Sequence, residues 1–370
     1  MPLRTTSGKL TDARKGRGSA INPEGRFERE AREAYDDGWM RDGEGDDERA
    51  LKTQVTEERA ASILSRNQSP DVPFNLSINP YQGCEHGCSY CYARPTHAYR
   101  NLSPGIDFET RIFAKVNAAE LLRKELSKPG YQCEVISLGA NTDPYQPAEK
   151  RLEITREVLK VCAAFNQPVG IVTKNAMVER DIDILAPMAE KNLVNVYLSV
   201  NNLDHELARK LEPRCTAPMR RLKAVRMLTD AGVRAGVLVA PVIPFLNDDQ
   251  IEAVLEAAYE HGARDASYVV LRLPREVKDL FPDWLERHYP LKARHVMSRV
   301  YAMRGGREND SNFGTRMSGE GEFAALLSKR FAIAKRRIGF EERSRMLRNV
   351  SLDTKLFRVP PVMTGQMSLF

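Results

Sequence analysis

Residues 79–97, NPYQGCEHGCSYCYARPTH, place three of the chain's six cysteines, Cys84, Cys88 and Cys91, within eight positions. Gly83 and Gly87 let the loop between them turn tightly. A C-x3-C-x2-C spacing in a chain of 370 residues reads as metal or cluster ligation rather than as a disulfide framework. Structural zinc takes four ligands, usually in paired knuckles. No second C-x2-C is present, so a zinc site would have to recruit His86 or His97. Iron–sulfur clusters are held by cysteine thiolates, and a four-iron cube with three protein ligands keeps one iron open, much as a catalytic zinc keeps one position for chemistry. An open iron implies a reaction.

The other cysteines stand apart. Cys133 opens an expected strand and Cys162 lies in an apolar helix, so both read as small buried hydrophobes, while Cys215 follows the LEPR stretch at 211–214. The elements that must position the motif follow from residue 76 onward. Strands are expected at 76–79, 134–138, 169–173, 194–200, 234–240 and 267–271. Helices are expected near 117–127, 150–165, 179–191, 218–231, 249–261 and 275–287, several with apolar residues spaced by three and four. Six strands alternating with helices imply a parallel sheet with right-handed crossovers. Apolar strand cores such as VGIVT and AGVLVA fit burial on both faces. The fold class is therefore α/β, a curled, barrel-like sheet whose chemistry sits at the C-terminal strand ends.

The motif CEHGCSYC, with an aromatic before its last cysteine, resembles the signature of the radical S-adenosylmethionine (SAM) superfamily. The resemblance implies a partial (β/α)6 barrel of the TIM type, with a [4Fe–4S] cluster on Cys84, Cys88 and Cys91. It also implies SAM chelated to the fourth iron and cleaved reductively to methionine and a 5'-deoxyadenosyl radical, with Tyr90 beside the adenine. Asn141, Thr142 and Asp143, in SLGANTDPYQPAEKR after the second strand, would hold the SAM amino group or ribose, although Asp143 before Pro144 equally suits an Asx turn or a helix cap. Lys174 ends the third strand as a carboxylate or phosphate contact, and Ser199 ends the fourth as a further SAM contact. Tyr145 and Arg214 are the substrate candidates, Arg214 as the anion contact. No catalytic side chain is assigned.

Over residues 74–290, INPYQGCEHGCSYCYARPTHAY and TDPYQPAE are most similar to the branch containing spore photoproduct lyase and the DNA repair photolyase-like proteins. In that branch a hydrogen-donating cysteine stands three residues before the aspartate at the second strand's end. Here that position is Ala140, which puts repair of the spore photoproduct by that route in doubt.

The expected domain plan has a polar N-terminal extension over 1–70, partly disordered or lying on the domain as a strap, and a barrel over 71–290. A basic helical region over 291–350 and an extended tail over 351–370 follow. Within 322–349 eight Lys or Arg face three Glu, with Phe323, Leu326, Leu327, Ala334 and Ile338 at helical spacing. This is either a helical cover with its cations in solvent or a phosphate-backbone contact beside the site. The last residues, QMSLF, resemble the Q-L-[S/D]-L-F peptide that docks bacterial proteins on the replication sliding clamp, with Gln366, Leu369 and Phe370 as anchors and Met367 replacing the usual Leu.

A net charge of +6 permits a nucleic-acid partner without demanding one. The absence of any long apolar run or secretory signal points to a cytoplasmic protein with no membrane partner. The expected function is a radical SAM enzyme, a lyase or oxidoreductase acting on DNA and served by a flavodoxin- or ferredoxin-type reductant. Two alternatives stand beside it: the same chemistry on RNA, protein or a metabolite, and a non-enzymatic metal-binding module recruited to the clamp.

Overall fold

The computed structural model describes residues 16–27, 51–340 and 352–361. Six parallel strands run in sequence order: β1 (Leu76–Ile78), β2 (Ile136–Leu138), β3 (Val169–Thr173), β4 (Val194–Ser199), β5 (Arg234–Val242) and β6 (Asp265–Val270). All six expected strands are present, with ends shifted by no more than two residues. Among the described residues β1 and β6 do not pair with each other. Leu64–Arg66 instead runs antiparallel along the free edge of β1. The result is an open, partial barrel of the α/β class. No described helix is long and apolar enough to cross a membrane.

Register explains why one face is a core and the other a cavity. Leu76, Ile136 and Val169 align across β1–β3, as do Ile78, Leu138 and Ile171, and all are fully buried beneath the helices. The residues between them, Ser77, Ser137 and Gly170, also align and point to the opposite face. Branched aliphatics seal the outer layer, while small and polar side chains leave volume inside. At the N-terminal end of the barrel the Tyr197 hydroxyl donates to Asp265 Oδ2 at 2.7 Å, lying over Gly236, where a Cβ would fall 2.6 Å from the ring.

The outer layer consists of α1 (Ala118–Leu126), α2 (Ile154–Phe165), α3 (Ile182–Glu190), α4 (Pro218–Asp230) and α5 (Ile251–Glu260), one between each successive pair of strands. In α2 the buried Ile154, Val158, Val161, Cys162 and Phe165 follow the 3.6 period and confirm Cys162 as a core residue. The helix expected from residue 150 is broken at Glu153, whose left-handed φ of 52° separates a short turn, Glu149–Leu152, from α2.

Beyond β6 come α6 (Val277–His288), α7 (Pro290–Ala302) and α8 (Gly321–Ile338). Three cations of α8 are drawn onto the barrel. Arg330 and Arg337 pair with Glu252 and Glu256 of α5 at 2.7 and 2.6 Å, and Lys335 reaches the Ala266 carbonyl at 2.8 Å. Helix α8 is thus a packed cover. Residues 341–351 and 362–370, including Gln366, Leu369 and Phe370, lie outside the described residues. Residues 352–361 return to the N-terminal strand ends, where Phe357 meets Tyr131 and Phe165.

Two parts of the N-terminal extension, residues 16–27 and 51–70, are among the described residues and pack on the barrel. Gln54–Glu58 pairs in parallel with Arg111–Lys115, which also pairs antiparallel with Tyr81–Gln82, so a small second sheet braces the loop after β1. Residues 16–27 lie as a strap on that loop.

The open side of the barrel is closed by two irregular segments. The Met317 carbonyl accepts the Val270 N–H of β6 at 2.9 Å. Across the gap Arg316 forms an ion pair with Asp71 and donates to Ser69, and Asp71 Oδ1 accepts the Gly314 N–H at 2.7 Å. Removing one partner of a buried pair strands the other charge, at a cost of about 3–5 kcal/mol. Asp71→Ala should therefore lower unfolding free energy by about 3 kcal/mol and release the Gly314 and Val270 amides to hydrogen exchange. Unchanged protection of both amides would show that this seam does not close the barrel.

Candidate active site

The cysteines sit in a loop built on one buried guanidinium. Arg94 is fully buried and uses all five N–H donors: Nε to the Cys88 carbonyl at 2.9 Å, Nη1 to Pro104 and Gly105 at 3.1 and 2.9 Å, and Nη2 to Gly87 at 3.3 Å and Glu109 at 2.5 Å. Glu109, also fully buried, accepts the Gly18 and Ser19 amides of the strap at 2.9 Å each. Gly87 has φ 67°, and a Cβ there would lie 2.7 Å from Glu109 Oε2, so only glycine fits between the cysteines and this pair. Arg94 and Glu109 thus brace the loop from within.

Cys84, Cys88 and Cys91 are free thiols that line one cavity of about 850 Å³, to which every barrel strand or its C-terminal end contributes. Among the described residues no group of three or more His, Cys, Asp or Glu converges as a single-ion site. His97, one of two possible fourth ligands, is buried off the cavity with Nε2 3.0 Å from the Arg111 carbonyl. His86 lines the cavity but is 3.3 Å from Asp143 on one nitrogen and 3.3 Å from the Asn175 amide on the other. Cys215, far away in sequence, brings its sulfur within 3.8 Å of Cys88 Sγ but does not line the cavity, so it is a hydrogen-bonding neighbour behind the ligand. Three thiols facing one cavity with no fourth protein ligand fit a cube with one open iron.

The residues expected around SAM divide into two groups. Tyr90, Asn141, Asp143, Lys174 and Ser199 line the cavity with the cysteines. The Tyr90 hydroxyl bonds Glu212, which is paired with Arg221, and Arg221 Nη1 donates to the Ser199 carbonyl at 2.7 Å. Burial opposes ionisation of Glu212, but Arg221 and then Lys174 hold its pKa below the usual carboxylate value. The Lys174 ammonium lies 5.9 Å from the Tyr90 ring centroid, above this charged network.

Asp143 faces the cavity but its oxygens are taken. Oδ1 accepts Thr173 Oγ1 at 2.7 Å and the Tyr145 N–H at 2.9 Å, and Oδ2 accepts the Lys174 N–H at 2.7 Å beside His86. The Asx turn is thus present, and Asp143 binds the ends of β1, β2 and β3 together rather than presenting a free carboxylate. Burial alone would raise its pKa. The His86 charge and hydrogen bonds from His86, Thr173 and the Lys174 amide overcome that and hold it at about 2.

Thr142 and Tyr145 do not line the cavity. Thr142 donates to the Tyr81 carbonyl at 2.7 Å, and Tyr145, fully buried, donates to Asp181 at 3.1 Å. Arg214 also lies elsewhere. It pairs with Glu85 at 3.2 Å and donates to Thr53 at 3.1 Å in a separate crevice with Arg17 and Lys52. These three alternate or turn away from the cavity because each is tied to a partner distant in sequence. The cavity instead holds residues that the sequence left unmarked: Tyr92 directly after the motif, and Arg272 just beyond β6.

The Radical SAM superfamily model matches residues 78–258. An uncharacterized protein of Mycobacterium tuberculosis is 37% identical over 221 residues, covering 59% of this chain and 65% of that protein. An uncharacterized protein of Methanocaldococcus jannaschii is 26% identical over 65% of this chain and 85% of its own length. Spore photoproduct lyase complexed with dinucleoside spore photoproduct superposes with a TM-score of 0.56 at 15% identity, covering 77% of this chain and 79% of that one. At that identity the superposition establishes the fold, the partial barrel. The cofactors that go with the domain are a [4Fe–4S] cluster and SAM, which the three thiols and the charged cavity wall fit.

The buried His97 gives a test that separates structural from ligand histidine. Burial lowers its pKa to about 4, below the ordinary 6.5, despite the opposing Arg111 carbonyl bond. The unfolded chain therefore binds the proton first as pH falls. Stability from this site is full above 6.5 and lost as pH drops towards 4, a gap equivalent to about 3 kcal/mol. Urea unfolding should show wild type losing about 3 kcal/mol more than His97→Gln over that window, with equal iron content in the two. Parallel losses, or loss of iron in the variant, would contradict the assignment.

Proposed function

With residues 78–258 a radical SAM domain, we propose that this chain is a radical SAM enzyme, a lyase or oxidoreductase, that acts on DNA. When bound, the cluster and SAM supply the reductive cleavage whose 5'-deoxyadenosyl radical abstracts hydrogen from a substrate. The observation that carries the reading is that Cys84, Cys88 and Cys91 share one cavity with Tyr90, Lys174 and Ser199.

Each of these side chains has a role its surroundings support. The cysteines would hold three irons from a loop that Arg94 braces. Tyr90, fixed by Glu212, offers a ring as a wall for the adenine. Lys174, whose pKa is raised by Glu212 against the effect of burial, stays cationic and would hold the SAM carboxylate. Asn141 and Ser199 supply polar contacts from neighbouring strand ends. The seam of Asp71 and Arg316 keeps the cavity walled on its open side, which limits quenching by water.

DNA is supported by Arg272 and Arg316 in the cavity lining, and the net charge of +6 permits it. Ala140 lines the cavity where the related branch carries its donor cysteine, so hydrogen return from a thiol at that position is not available. The chemistry on DNA therefore differs from thiol-assisted repair of the spore photoproduct. A flavodoxin- or ferredoxin-type protein would deliver the electron, and Gln366, Leu369 and Phe370 would recruit the enzyme to the sliding clamp.

Anaerobically reconstituted protein, reduced with dithionite and given SAM, should form 5'-deoxyadenosine, and added DNA should raise the rate. Lys174→Ala should weaken SAM binding by tenfold or more, about 1.4 kcal/mol, with iron content preserved. No 5'-deoxyadenosine from the wild type would end the radical reading. A rate indifferent to DNA would leave the chemistry and remove the substrate.

A further inference from the structure

The cavity wall carries a cation with no ion-pair partner among the described residues. Arg272 follows β6 and lines the cavity. Its Nε is buried without a hydrogen-bond partner, and among the described residues no carboxylate lies within ion-pair distance of it. Its remaining contacts are weak: Nη1 lies 3.6 Å from Met317 Sδ, and the guanidinium lies 5.8 Å from the Tyr92 ring centroid. Neighbouring cations do not relieve it. Arg316 is spent on Asp71, and buried Arg304 donates only to backbone carbonyls, including Leu271 at 2.7 Å and Arg316 at 2.8 Å. Burial and the adjacent Arg316 both work against the charge on Arg272. A half-buried guanidinium kept in that state is suited to an anion from outside the chain.

Two aromatic rings stand beside these arginines with large faces open to solvent. Tyr92 is 47% exposed, with its hydroxyl bonded to the Ala140 carbonyl, and Phe313 is 59% exposed beneath the Arg316 guanidinium at 4.7 Å. Tyr92 comes from the loop after β1 and Arg272 from the end of β6, so this pair spans the edge where the barrel is open. Phe313 precedes Gly314, itself a cavity-lining residue. Exposed rings paired with guanidinium groups beside the cavity suit unstacked bases and the phosphates between them.

We propose that Tyr92, Arg272 and Phe313 form a nucleotide-binding lip on which an unpaired stretch of DNA lies, with Arg272 holding a backbone phosphate and Tyr92 stacking a base beside the cavity. The inference rests on the DNA reading and deepens it. Single-stranded or extruded nucleotides bind here, whereas the stacked bases of an intact duplex cannot reach Tyr92.

The test is fluorescence anisotropy of a labelled oligothymidylate with the reconstituted holoenzyme and SAM, across a salt series. Arg272→Gln should weaken binding about tenfold and lower the log–log salt slope by about 0.7, the value for one phosphate contact on a single strand. Arg272→Lys should keep the slope while losing part of the affinity. Tyr92→Leu should weaken binding severalfold without changing the slope. If Arg272→Gln does not fold, the unaltered protein still decides. Thymidylyl-thymidine should bind more tightly than its neutral methylphosphonate analogue, and equal affinity would overturn the proposal. Equal affinity and slope in a folded Arg272→Gln would do the same. Formation of 5'-deoxyadenosine by the wild type is measured in parallel, so a failed lip is distinguished from a failed radical reading.

Discussion

Everything in this site hangs from a guanidinium that never meets water. Arg94 holds the carbonyls of Gly87 and Cys88 from below, and Glu109 cancels its charge. Without Glu109 the cation would be stranded in a low-dielectric interior. Without Arg94 the carbonyls around Cys88 would lose their donors. Glu109 also gathers the strap through Gly18 and Ser19, so a segment far away in sequence helps to hold the cysteines. The loop can then present three thiols to one cavity, which is what cluster binding with an open position needs.

The barrel supplies the second half of the arrangement. Small inward residues on β1–β3 leave a cavity lined by Lys174 and Tyr90, with the buried Arg221–Glu212 pair behind Tyr90. Asp143 is the rivet between strand ends, with no oxygen left over for a ligand. The open edge between β1 and β6 is only partly closed, by the Asp71–Arg316 seam, and Tyr92 and Arg272 flank it.

Much of this was legible in the sequence because the signals are local. Alternating apolar runs marked all six strands, and the spacing of Cys84, Cys88 and Cys91 marked the site. Tyr90 follows from its place in the cysteine motif, and Lys174 and Ser199 from the rule that residues at C-terminal strand ends face the site. The same rule misplaced Thr142 and Tyr145, because side chains in a loop point where their partners are, and Tyr81 and Asp181 cannot be paired with them from spacing alone. Arg214 was misplaced for the same reason: Glu85 draws it to the strap side. Glu212, Arg272 and the Asp71–Arg316 seam depend on contacts between distant parts of the chain, which carry no periodicity. The polar residues 54–58 became a strand because Arg111–Lys115 offered an edge to pair with, a tertiary effect that composition does not record.

The central claim is that Cys84, Cys88 and Cys91 hold a four-iron cube with one iron open to SAM. It is tested most directly by iron and sulfide analysis of the anaerobically reconstituted chain, with EPR spectra of the dithionite-reduced protein recorded before and after SAM is added. The account predicts a cluster of four irons whose signal changes on adding SAM and is lost in Cys88→Ala. Zinc in place of iron, or a cluster whose spectrum ignores SAM, would contradict it.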